Sequence, residues 1–116
     1  KRFSELYYKA SNLIMLAQQA GLESKIKSDV NNLRAFAEIY YDQNGNSYKG
    51  FCKSVHFNNV KNDLKQYKSI VTCADESGYF QVNTNLPGTK NYHCADSTGL
   101  ATTMSKKPKK GSLACQ

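Results

Sequence analysis

The sequence predicts an α+β domain in which one long N-terminal helix packs on a small antiparallel β-meander of three to four strands. Three observations predict it. Apolar residues recur every three or four positions from Phe3 to Tyr41. From Ile70 onward the texture changes to β-branched and aromatic residues punctuated by Gly, Asn, Ser and Pro. Four widely spaced Cys are available to staple what must be a modest core.

The helix comes first. Phe3, Leu6, Ala10, Leu13, Ala17, Ala20, Ile26, Val30, Leu33, Ala37 and Tyr40 trace one stripe, and Lys, Glu, Asp, Asn and Gln fill the other faces. No Pro interrupts it. A helix of nearly this whole stretch would be roughly 60 Å long at 1.5 Å per residue, so part of it is expected to project beyond the sheet. Gly21 is the weak point, marking a bend, a packing contact or a junction between two helical pieces. Asn44-Gly45 stops the helix.

A short amphipathic helix follows between His56 and Tyr67, with Val60, Leu64 and Tyr67 on its apolar side and Lys61, Lys65 and Lys68 on its wet side. Strands are expected near Ile70–Ala74, Tyr79–Leu86, Tyr92–Asp96 and Leu100–Met104. Two of them end alike: Cys73-Ala74-Asp75-Glu76-Ser77-Gly78 resembles Cys94-Ala95-Asp96-Ser97-Thr98-Gly99. Each reads as a strand end running into a polar, Gly-closed hairpin turn. The organisation is one domain over residues 1–116. It comprises a helix spine at 1–42, a connecting region at 43–69, and a disulfide-stapled sheet with a C-terminal loop at 70–116. Within the spine, residues 1–22 are expected to be either a divergent stretch or a foreign helix joined near Gly21-Leu22-Glu23.

At 116 residues the chain has room for one domain, which buries only about two-thirds of the surface its unfolded form exposes. Cys52, Cys73, Cys94 and Cys115 lack the close C-x-x-C spacing of zinc or thioredoxin-like sites. An even number at wide spacing reads instead as a disulfide framework, which places the domain outside the cytosol. Four Cys allow three pairings, and the sequence does not choose among them. The pairing expected is the sequential one, Cys52 with Cys73 and Cys94 with Cys115, because it closes two equal loops of modest length. The most apolar stretch, Leu13 to Ala17, is far short of the roughly 20 residues that span a bilayer.

No catalytic constellation is present. A Cys nucleophile needs a free thiolate and a base. Asp75, Glu76 and Asp96 fall in turns, where Asp steadies the local backbone. Asp42-Gln43-Asn44-Gly45-Asn46 lacks the spaced acidic ligands and closing Glu of a calcium loop. His56 and His93 have no neighbouring ligands and are expected to be packing or surface residues. No enzyme activity, cofactor, metal or small-molecule substrate is expected. The net charge is +7, and its sharpest focus is Lys106, Lys107, Lys109 and Lys110, broken by Pro108 and closed by Gly111. This is a basic loop, and its sharper reading is a weak, non-specific contact with the phosphates of DNA.

Ser24 to Tyr48 resembles the ectodomain half of the long helix in type IV pilins and type II secretion pseudopilins. There, a Leu-x-x-x-x-Glu-x-Tyr-Tyr-like helix end runs into Asn-Gly and then a Tyr. The matching residues are Leu33, Glu38, Tyr40, Tyr41, Asn44, Gly45 and Tyr48. Cys94-Ala95-Asp96-Ser97-Thr98-Gly99 is similar to the Cys-x-Asp-Ser-Thr-Gly turn of small pilins, and Cys115 to the Cys that closes their final loop. The resemblance implies a non-enzymatic filament subunit, major or minor, that packs against other subunits through its N-terminal helix. It implies an apolar segment upstream that holds the subunit in the inner membrane before assembly into an extracellular pilus for adhesion, motility or DNA uptake. The pseudopilin calcium-binding C-terminus has no counterpart here, and Lys49 stands where Pro often follows the Tyr. A pilus subunit is therefore favoured over a secretion pseudopilin.

Overall fold

The structure, a computed structural model, describes residues 2–116, with side chains described from Ala17 onward. Helix α1 (Arg2–Gln43) leads into a single turn of 3₁₀ helix (Phe51–Lys53) and helix α2 (Val55–Lys65). Four strands follow, β1 (Val71–Asp75), β2 (Phe80–Asn85), β3 (Tyr92–Asp96) and β4 (Ala101–Met104). They pair in sequence order as one antiparallel meander, β1-β2-β3-β4. Each lies within one residue of its predicted bounds, and the α+β class is the one expected.

Helix α1 runs through Gly21 without interruption, and a Cβ built there would touch nothing within 4 Å. Gly21 is thus neither a break nor a packing contact. A solvent-facing helical Gly costs about 1 kcal/mol relative to Ala, too little to end a helix supported on its C-terminal side. The stop lies where expected. Gly45 and Asn46 both adopt left-handed backbone, with φ of +66° and +60°, and the Asn46 N–H returns to the Tyr41 carbonyl at 3.0 Å. The Asn44 side chain donates to the Tyr40 carbonyl at 2.8 Å, satisfying another orphan acceptor of the last turn.

The buried stripe of α1 is shorter than its apolar pattern. Ile26, Val30, Leu33 and Ala37 are completely buried, Leu22 and Tyr40 are half-buried, and Ala17 and Ala20 are exposed. Phe3, Leu6, Ala10 and Leu13 lie outside the residues whose side chains are described. The sheet sets this limit, since strands of four to six residues span only about 13–20 Å, some three turns of helix. Near the stripe's N-terminal end, the Gln19 amide donates to the Pro87 carbonyl in the β2–β3 turn. Gly88, at φ +82°, allows this approach, because a Cβ there would come within 2.9 Å of the Gln19 side chain. The molecule is 67 Å along its long axis and 25 by 19 Å across.

The inner face of the sheet carries Val71, Phe80, Val82, Thr84 and Ala95 against α1, and Phe51, Phe57, Leu64 and Tyr48 close the core around them. Ser54 caps α2 by accepting the Phe57 N–H at 3.2 Å. In the Leu-to-Tyr helix-end motif, Asn44 and Gly45 end the helix, whereas Leu33, Tyr40, Tyr41 and Tyr48 pack in or against the core. The Tyr48 ring packs tilted against Tyr41, with centroids 4.6 Å apart, and its hydroxyl donates to Glu38 at 2.7 Å, while Tyr40 donates to the Lys49 carbonyl at 2.7 Å. Among the described residues, no helix is long and apolar enough to cross a membrane.

Candidate functional site

The sheet is stapled on both faces, by a disulfide from Cys73 of β1 on the inner face and another from Cys94 of β3 on the outer face. Cys52 is bonded to Cys73 and Cys94 to Cys115, each across 21 residues, so the sequential pairing is the one formed. The repeated Cys-Ala-Asp segments at the ends of β1 and β3 explain more than two hairpin turns. Asp75 Oδ2 accepts the backbone N–H of Cys52 at 2.8 Å, and Asp96 Oδ2 accepts that of Cys115, also at 2.8 Å. In each case the Asp two residues after the strand Cys holds the backbone of that Cys's disulfide partner. A strand residue and its i+2 neighbour share one face of the sheet, so both groups reach the same crossing segment. Only Asp96 also steadies its own turn, accepting the Thr98 N–H at 2.9 Å and the Thr98 hydroxyl. Burial works to raise the pKa of Asp96, but the Thr98 hydroxyl and the Cys115 and Thr98 N–H groups outweigh it and hold the carboxyl below the usual range.

The second bridge fixes the basic loop. The chain leaves β4 at Met104, folds back over the outer face and is pinned at Cys115. Gln81 donates to the Ser112 carbonyl at 2.9 Å, its own oxygen accepts from Asn83, and Asn83 Oδ1 is left buried without a partner. Lys106, Lys107, Lys109 and Lys110 are exposed, whereas Pro108 between them is buried. The loop is therefore seated through its Pro while its charges face outward.

Between this loop and α2 lies a cleft of about 450 Å³. Its walls include Lys107, Lys109 and Lys110 of the loop, Lys61 of α2, and four consecutive residues of β1, Val71 to Ala74. Lys106 does not line it. A second, shallower cleft with Lys49 and Lys53 on its rim shares the Cys52–Cys73 bridge as a wall. Sequence reasoning placed Lys61 merely on the wet side of its helix. Nothing local ties it to a loop more than forty residues away, and only packing of α2 beside β1 joins them. The described residues include no group of three His, Cys, Asp or Glu arranged to hold a metal ion.

His56 is exposed, with its ring stacked at 4.7 Å on Phe36. His93, by contrast, is buried and ties the helix to the far edge of the sheet. Its Nε2 lies 2.9 Å from Asn31 Oδ1 on α1 and its Nδ1 3.2 Å from Thr103 Oγ1 on β4. The neutral tautomer that satisfies both donates from Nε2 and accepts at Nδ1. Burial, and then the positive charge of Lys27, push its pKa below the ordinary 6.5. A depressed His contributes stability that is complete above the unfolded-state pKa and is lost as pH falls from there through the folded-state value. The melting temperature of the wild type should accordingly drop from pH 7 toward pH 5. In His93→Gln that drop should be smaller, and equal slopes would show that His93 does not titrate with folding.

Comparison of the chain with protein-family models, with curated proteins and with solved structures finds no match.

Proposed function

We propose that this chain is the exposed part of a structural subunit of a type IV pilus-like filament, with no enzymatic role. The observation that carries the reading is helix α1. Its 42 residues extend about 63 Å at 1.5 Å per residue, yet among its described side chains the completely buried positions run only from Ile26 to Ala37. A monomer gains nothing from a helix so much longer than its sheet. A filament does, because the N-terminal portions of neighbouring helices bury one another. The helix-end motif and the disulfide-closed final loop support the same reading, as does the oxidising compartment that two disulfides require. In this account an apolar segment upstream holds the subunit in the inner membrane until assembly. Gold-labelled antibody against residues 17–116, applied to cells that make the protein, should decorate surface filaments along their length. Label confined to the medium or to the cell envelope would overturn the proposal.

A second reading, polyanion capture as in DNA uptake, is favoured by one observation. Lys49, Lys53, Lys61, Lys107, Lys109 and Lys110 rim two adjoining clefts in which, among the described residues, the only carboxylate is Asp75, and it is occupied by the Cys52 N–H. Duplex DNA should bind non-specifically, on the order of 10⁻⁴ to 10⁻⁶ M at physiological salt, with a log–log salt slope of about −3 to −4 if three or four phosphates engage. Changing Lys106, Lys107, Lys109 and Lys110 to Ala should remove most of this binding and leave the fold intact. Unchanged binding in that variant would return the loop to a solvated run of charge.

A further inference from the structure

The strand that lines the larger cleft is the first strand of the sheet, and it has a free edge. In the order β1-β2-β3-β4, β1 pairs only with β2, so alternate backbone N–H and C=O groups of Val71–Asp75 point away from the sheet. Among the described residues, none of these groups is hydrogen-bonded outside the sheet. Such an edge is a template for another extended chain. Proteins commonly blunt it with a covering loop, with Pro or with Lys, and this one does so only partly. The C-terminal loop seats Pro108 on one side and α2 stands on the other, yet the cleft between them reaches the strand from Val71 to Ala74 and leaves Thr72, Cys73 and Ala74 partly exposed.

The charges around this opening are all of one sign. Lys61 stands on the α2 side, and Lys107, Lys109 and Lys110 on the loop side. Among the described residues, no carboxylate pairs with any of the four. Lysines flanking an edge discourage pairing with a neutral or basic strand, including the β1 edge of a second copy of this chain, whose net charge is +7. They do not discourage an acidic one. The loop is also suited to admit a guest. Across residues 105–111, none of its backbone groups bonds to the sheet: the loop rests there on the buried Pro108, and its hydrogen-bonded and covalent ties, the Gln81–Ser112 contact and the Cys94–Cys115 bridge, lie at its far end.

We propose that the free edge of β1 is a docking site for an extended acidic peptide segment. The segment adds to the sheet as a fifth strand, and its carboxylates meet Lys61, Lys107, Lys109 and Lys110. Backbone hydrogen bonds supply the pairing and the lysines supply the selection, which is the division of labour in β-strand addition. The site is independent of the filament reading, since it uses neither α1 nor any residue assigned to helix packing.

The test uses the isotope-labelled chain and an eight-residue peptide alternating Glu with Val. Titration should shift the amide resonances of Val71–Asp75 and Lys107–Gly111, with cross-strand contacts between the peptide and β1. A peptide of the same sequence with alternate backbone amides N-methylated should bind at least tenfold more weakly, as should the parent peptide to Lys107→Glu/Lys109→Glu/Lys110→Glu. That variant should in turn gain affinity for the corresponding Lys–Val peptide. Because these side chains are exposed, the variant should keep its fold, checked by an unchanged spectrum for α1. The proposal is overturned if the acidic peptide does not bind. It is equally overturned if the methylated peptide binds as well as the parent, or if short duplex DNA produces the same shifts in β1. Each of those results would mean that charge alone acts at this face.

Discussion

Reducing both disulfides is expected to unfold the domain at 37 °C, or to bring it close to its midpoint there. Each bridge closes a loop of 21 residues, for which the chain-entropy account assigns roughly 3 kcal/mol. Two bridges amount to about 6 kcal/mol, against the 5–15 kcal/mol that a domain commonly has in all. The core cannot make up the difference, because its completely buried large side chains are few and the chain has no Trp. The loss should exceed the entropy term for a second reason. Once Cys115 is free to leave, Asp96 keeps its place in the sheet but loses the N–H that offsets its burial, and Asp75 loses that of Cys52 in the same way. Thermal melts followed by circular dichroism with and without reductant measure the effect. Melting that fell by only a few degrees would show that the packed core, and not the bridges, holds the domain together. Removing one bridge at a time, by Cys94→Ala/Cys115→Ala or by Cys52→Ala/Cys73→Ala, should cost about half as much in each case.

Leu33→Ala is expected to cost about 2–5 kcal/mol, a melting shift on the order of 10 °C. Leu33 is completely buried at the middle of the stripe that meets the sheet, flanked one turn away on either side by Val30 and Ala37. Removing its isobutyl group leaves a cavity that α1 cannot close, because contacts on both sides of Leu33 fix the helix in place. Gln19 and His93 hold it to the sheet, and Tyr40 holds it to the segment that follows. Leu22→Ala, at a half-buried position near the end of the covered stretch, should cost much less. Equal losses at the two positions would mean that the helix is supported well beyond the sheet, and would remove the main argument for a helix made to pack with other subunits.

Much of this architecture was legible along the chain. Secondary structure here is governed by local patterns, and they are strong. An apolar period near 3.6 without Pro carries α1 to Gln43, Asn44-Gly45 supplies the left-handed residues that end it, and Gly-closed polar turns set off strands whose bounds fall within a residue of those expected. An even number of well-separated Cys was enough to indicate bridges, though not to choose among three pairings. Along this chain periodicity also overstated burial. Ala17 and Ala20 continue the stripe in sequence but face solvent, since the sheet opposite them has ended.

Local signals along the chain set the order and kind of its elements, because capping, turn chemistry and apolar period act over a few residues. The tertiary structure alone decided which groups from distant elements meet. It put Asp75 and Asp96 on the backbone of their neighbours' disulfide partners, set His93 between α1 and β4, brought Lys61 opposite the basic loop, and left the β1 edge open between them. Each of these depends on the path of a segment across the sheet and on the register of paired strands. A long-range contact has no local signature, since either partner looks the same in sequence whether or not the other arrives.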